Sequence, residues 1–238
     1  MPRKKIVFVI VEGPSDEGAI GVLLDKFYDS KVVHVEVMHC DITTKLGVVS
    51  GNIVAKIGNL VKKYAGRVFK PEDFSQIIHI ADTDGAFIPD DAVVKDSTAA
   101  NPVYSVTEIR TQRKTGIEAR NRHKRENLDK LSSTPAIWKI PYRIYYMSCN
   151  LDHVLYGKLN SPDEEKENDS YAFAKKYRDD IPGFIRFISE SDFSVMNNYR
   201  QSWQYIREGL HSLERHSNFG LSFQTEDSDA EIDPQNKK

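Results

Sequence analysis

The sequence predicts an α/β protein with a four-stranded parallel core sheet, helices on both faces, an insertion after the third strand and a C-terminal helical cap. Two observations carry this. Apolar, β-branched or aromatic runs alternate with stretches whose apolar residues recur at helical spacing, and three of the four runs end in acidic turns. Alternation of this kind implies right-handed crossovers and a sheet covered on both sides.

The first run, residues 6–11 (IVFVIV), is apolar throughout, as a strand buried on both faces must be, and it stops at Glu12. Gly13 and Pro14 break the strand. Ser15 is placed to cap a helix whose first turn carries Asp16 and Glu17, where negative charge suits the exposed backbone donors. Ala19, Ile20, Leu23, Leu24 and Phe27 mark one buried face of that helix. Residues 31–38 (KVVHVEVM) read as the second strand, and Val49, Ile53, Ile57, Leu60 and Tyr64 define a second helix that ends at Gly66. A third strand, 75–81 (SQIIHIA), ends at Asp82 and Asp84 with Gly85 behind them. Periodicity weakens over about 87–138, an insertion with one helix near 118–131. The fourth strand, 142–147 (YRIYYM), delivers Ser148, Cys149 and Asn150 into a turn before a helix beginning near Leu151 and Asp152. Residues 161–220 read as a helical extension over a core domain of 1–160, and 221–238 as a disordered acidic tail.

With 238 residues, 39% of them hydrophobic, the chain can bury a substantial core, and no apolar run approaches the roughly 20 residues of a membrane helix. The apolar part of the N-terminus is too short for a secretory signal, so a cytoplasmic location is expected. Cys40 and Cys149 form no CxxC pair and suggest neither zinc nor a disulfide framework; both read as packed thiols. The net charge of -2 is unevenly spread. Arg110, Arg113, Lys114, Arg120, Arg122, Lys124 and Arg125 face one acid, Glu118, within residues 110–125. That segment could follow a polynucleotide backbone or form a solvated helix face. Residues 226–233 hold five acids and no base.

Strand ends at one edge of a parallel sheet converge, so Glu12, Asp16, Asp82, Asp84 and Asp152, with the Ser148 hydroxyl, can line one crevice. Carboxylates so close cannot all stay ionised without a counter-charge, and a divalent cation with hard oxygen ligands supplies one. His79, inside an apolar strand, reads as a core residue. His153 reads as a helix-face residue beside the site.

Glu12-Gly13 after one strand and Asp82-Thr83-Asp84 after another resemble the motifs of the Toprim superfamily of topoisomerases, primases and nucleases. The resemblance is nearest to the OLD-family nucleases, which add an acid four residues after the glutamate and a later Ser-x-x-x-Glu element. Asp16 fills the first, and Ser148 to Asp152 looks like the second with Asp for Glu. The matched elements span about residues 6–155. The resemblance implies a Mg²⁺- or Mn²⁺-dependent nuclease with Glu12, Asp82 and Asp84 as catalytic ligands. Asp16 and Asp152 would then complete a second metal position or act as first-turn helix acids, and Ser148 would hold a metal-bound water or cap the helix. It also implies nucleic acid, DNA or RNA, as substrate, a separate ATPase partner and a role in phage defence. OLD nucleases usually carry a fused ATPase, and this chain has no Gly-x-x-x-x-Gly-Lys-Ser/Thr phosphate loop. They also carry a catalytic lysine beyond the Ser-x-x-x-Glu element, for which Lys158, Lys175 and Lys176 are candidates. The alternative implied is a Toprim-like module that binds metal, nucleic acid or protein without cutting.

Overall fold

In the computed structural model, residues 4–29, 31–37 and 41–224 are described. Cys40 and the acidic stretch 226–233 lie outside them. The chain runs β1 (Ile6–Val11), α1 (Pro14–Phe27), β2 (Val32–Val37), α2 (Ile53–Ala65), β3 (Phe74–Asp82), β4 (Val93–Lys95), β5 (Val103–Tyr104), β6 (Ile109–Thr111), α3 (Lys114–Ser132), β7 (Ala136–Ile137), β8 (Ile140–Met147), α4 (Leu151–Tyr156), α5 (Asp163–Tyr177), α6 (Ile181–Glu190) and α7 (Tyr199–Tyr205).

The main sheet has the order β2-β1-β3-β8-β7, and β2, β1, β3 and β8 are parallel. These are the four strands expected from the sequence. β7 adds a short antiparallel edge through a hairpin with β8. The chain leaves β1 toward β2 on one side and returns to β3 on the other, so the strand order reverses beside β1. Open α/β sheets leave a crevice for ligands at the carboxyl ends of the strands at such a reversal.

Both faces of the sheet are packed, which explains why β1 is apolar at every position. Ile6, Phe8 and Ile10 pack on the side covered by α2, α3 and α7, with Ile57, Leu131 and Trp203. Val7, Val9 and Val11 pack on the side covered by α1, α4, α5 and α6, with Leu23, Val154 and Phe184. Each such burial contributes about 1.5–3 kcal/mol, and any polar substitution in β1 would forfeit it. Tyr142, Tyr145 and Tyr146 are sheet-packing residues, and buried His79 shares a 2.8 Å hydrogen bond between its Nδ1 and the Tyr142 hydroxyl. Burial pushes the His79 imidazole down to about 4, so it is neutral at physiological pH.

Three departures from expectation shape the site. The second helix starts at Ile53 and not near Val49, because the Asn52 side chain bonds Val49 N and Gly47 O and folds the preceding residues into turns. The insertion builds a second sheet, β4-β6-β5, from strands too short to leave a periodic signal. Finally, the C-terminal segment covers both faces: α5 and α6 pack on one side, while Trp203 and Ile206 reach the other. Residues 206–218 then strap the end of β8, where Ser148 N donates to His216 O and Cys149 N to Ser212 O, each at 2.9 Å. The helical extension is therefore part of the core's construction.

Candidate active site at the carboxyl ends of the strands

Glu12 follows β1 and Asp82 ends β3, and the two are tied directly: the Asp82 amide donates to Glu12 Oε1 at 3.2 Å. α1 begins at Pro14 with Gly13 as its N-cap, so Ser15 lies inside the first turn and the expected Ser15 cap is corrected. Asp16 does the capping instead, accepting from Gly13 N at 2.9 Å. Thr83 turns away between the two aspartates, donating to Ser212 O and accepting from Cys149 N, both at 2.9 Å. The turn then needs two successive left-handed residues, Asp84 at φ 49 and Gly85 at φ 67. A Cβ on Gly85 would come within 2.7 Å of Leu213 Cδ2. Gly85→Ala is expected to cost about 1–3 kcal/mol, from the strained backbone and the Leu213 contact together. Urea unfolding measures this, and an unchanged midpoint would show that the turn relaxes freely.

The acids divide into two groups. Asp16, Asp82 and Asp152, with Asn150 and Lys166, line a cavity of about 80 Å³. Burial first, and then the mutual proximity of the acids, raises Asp82 and Glu12 well above the usual carboxylate range, although Lys124 opposes the shift. Burial lifts Asp16 to about 6 against its backbone hydrogen bond from Gly13, and burial also raises Asp152. Lys166 approaches from α5, with its ammonium 2.9 Å from Asp163.

The second group surrounds Lys124, whose side chain is fully buried. Its Nζ lies 2.5 Å from Asp84 Oδ2, 2.7 Å from Asp41 Oδ2 and 4.0 Å from Glu12 Oε1. Burial alone would lower the ammonium's pKa, but the three carboxylates outweigh it and hold the group charged. Asp41 is in turn brought down to about 2 against its burial, by Lys124 and by the Thr43 and Thr44 hydroxyls.

Ser148 does not belong to the crevice. It is fully buried, donates to Glu214 O and accepts from His216 N at 2.6 Å, so its hydroxyl is used by the C-terminal strap. Neither expectation for it stands, because α4 is capped by Asn150, whose Oδ1 accepts from His153 N at 2.8 Å. His153 is buried with its imidazole pushed down to about 4, by burial and by Arg215, and it does not line the cavity.

The basic segment is likewise split. Lys124 cannot face a polynucleotide while buried among acids, which corrects its assignment to a phosphate-binding surface. Arg120 donates to Asp84 O at 2.8 Å and Arg125 to Ala86 O at 3.0 Å, so both hold the 84–88 loop. Arg110, Arg113 and Arg122 are exposed and Lys114 is half-buried; three of these pair with Glu108, Asp90 and Glu118 respectively for Arg110, Arg122 and Lys114. Of the lysines considered for catalysis, Lys158 pairs with Glu165 and Asp169, and Lys176 lies over the Tyr177 ring. Lys166 is the lysine that reaches the cavity, and the sequence reading missed it. Asp41 was missed too, although Asp41-Ile42-Thr43-Thr44 carries the signal of an Asx turn.

The donor set suits a hard divalent cation: buried carboxylates of raised pKa, beside a site where an ammonium already stands as a counter-cation. Among the described residues, however, no three His, Cys, Asp or Glu side chains stand arranged as a ready-made metal site. Among those residues, also, no helix is long and apolar enough to cross a membrane. Comparison of the chain with protein-family models, curated proteins and solved structures found no match. The fold and site define a mixed α/β protein with a parallel-rich sheet and an acidic crevice at the reversal of its strand order.

Proposed function

We propose that this protein is a Toprim-type, Mg²⁺- or Mn²⁺-dependent nuclease of the OLD kind, hydrolysing phosphodiester bonds of DNA or RNA. One observation supports the reading above all: Asp82 at the end of β3, Asp16 in the first turn of α1 and Asp152 in the first turn of α4 line one cavity, and Glu12, just after β1, accepts from the Asp82 amide. Asp16, Asp82 and Asp152 would hold the cation, with Glu12 tied to the Asp82 backbone beside them. When bound, a divalent ion activates an attacking water and stabilises the leaving oxygen. Glu12 orients the Asp82 backbone, Asp16 fixes the turn on which it sits, and Lys166 offers a positive charge to a phosphate entering the cavity. Exposed Arg113, with Arg110, Lys114 and Arg122, would hold the backbone of the nucleic acid without reading its bases. A separate ATPase partner and a role in phage defence extend the same reading.

The test is incubation with supercoiled plasmid and with RNA in Mg²⁺ or Mn²⁺, beside Glu12→Ala and Asp82→Asn. Cleavage that falls by about 10²–10³-fold or more in both variants is expected. Equal cleavage by wild type and variants would sink the assignment. A second reading, a non-catalytic binding module, draws support from Asp84, which Lys124 occupies, and from Ser148, which is turned away. Nucleic-acid binding without cleavage under every condition would favour it.

A further inference from the structure

We propose that Lys124 is a tethered cation that takes the place of one of two divalent ions, so that the site binds a single metal. The inference rests on the metal-dependent reading above and deepens it. A lysine is almost never fully buried unless paired, yet Lys124 is completely enclosed and faces three carboxylates. Its position is preset by the helix that carries it. On α3, Arg120 and Asn121 bond the carbonyls of Asp84 and Gly85, and Asn127 bonds Thr43 O at 2.7 Å. The same helix thus docks both loops that supply Asp41 and Asp84, and the ammonium lies where those loops meet.

The charges are distributed to match. Glu12, Asp41 and Asp84 share this ammonium, whereas Asp16, Asp82 and Asp152 line a cavity with the half-buried Lys166, whose ammonium is paired with Asp163. One divalent ion on the Asp16, Asp82 and Asp152 side would complete the balance. On the other side the lysine already neutralises the oxygens that a second ion would need, and without the cost of binding an ion from solution.

The experiment is Mn²⁺ stoichiometry by calorimetry and electron paramagnetic resonance on wild type, Lys124→Met and the double variant Asp41→Asn with Lys124→Met. The double variant removes an acid along with the ammonium and so keeps a folded protein in hand, while the Asn carbonyl oxygen can still ligate. Wild type is expected to bind one Mn²⁺ and both variants two. Two ions on the wild type, or one ion on both variants, would overturn the role of Lys124 while leaving the metal site intact. No Mn²⁺ on any of the three proteins would overturn the metal-dependent reading itself, and this inference with it.

Discussion

Lys124→Ala lowers stability by about 3–5 kcal/mol in metal-free buffer at neutral pH, the usual consequence of removing one partner from a buried ion pair. The reason lies in what stays behind. Asp41 and Asp84 have side chains only 15% and 26% exposed, and among the described residues neither forms another ion pair. Glu12, 4.0 Å from the ammonium, also loses its opposing charge. The cavity left by the lysine stem adds a smaller cost. Adding Asp41→Asn to Lys124→Ala removes one orphaned charge and restores part of the loss. Lys124→Arg keeps the charge but brings a larger, planar head into a closed site, so it is destabilising by less. Urea unfolding checks the series, and a loss below about 1 kcal/mol for Lys124→Ala would show that water reaches these carboxylates freely.

In metal-free protein the crevice acids add stability as pH falls from about 7 toward 5, while His79 and His153, with imidazoles pushed down to about 4, act in the opposite sense, and Mg²⁺ or Mn²⁺ removes the share of the acids. The sign follows from proton binding. Asp16 titrates at about 6 in the folded protein against 3.8 as an ordinary aspartate, and Glu12, Asp82 and Asp152 are raised as well. At these acids the folded protein therefore holds more protons than the unfolded chain, and their contribution to stability drops as pH rises through that window. Asp41 works in the opposite sense. Its folded value of about 2 gives stability that is present above the ordinary aspartate value and lost only in strong acid. A divalent ion replaces the protons, so it stabilises more at pH 7.5 than at pH 5; at a hundredfold excess over its Kd it contributes about 2.7 kcal/mol. Thermal unfolding across this range is the measurement. An equal shift by Mn²⁺ at both ends would contradict the crowding of charge described for the crevice.

Both expectations concern acids whose placement was only partly legible. The four parallel strands, the acidic turns after β1 and β3, and one helix near 118–131 could be read from the sequence, whereas the buried face of that helix emerges only in the structure. Asp152 and Asp16 could be placed near Asp82 because strand ends in a parallel sheet share an edge. The roles of Ser148 and Ser15 could not, because a hydroxyl's partner is chosen by whichever backbone passes closest. Ser148 is taken by a strap some 66 residues downstream. Gly13 and Asp16 leave Ser15 nothing to cap.

By itself the sequence determined the alternation of strand and helix and the sites at which strands end in acid, since periodicity and turn chemistry are local properties. Tertiary structure decided which charges meet. Lys124 stands one helical step from Asn121 and Leu128 on the buried face of α3, at a position where an apolar residue is expected and a lysine reads as solvated. Only the docking of that helix against the loops carrying Asp41 and Asp84 turns the same lysine into a counter-ion, because a buried charge is tolerated only where the fold brings its opposite to it.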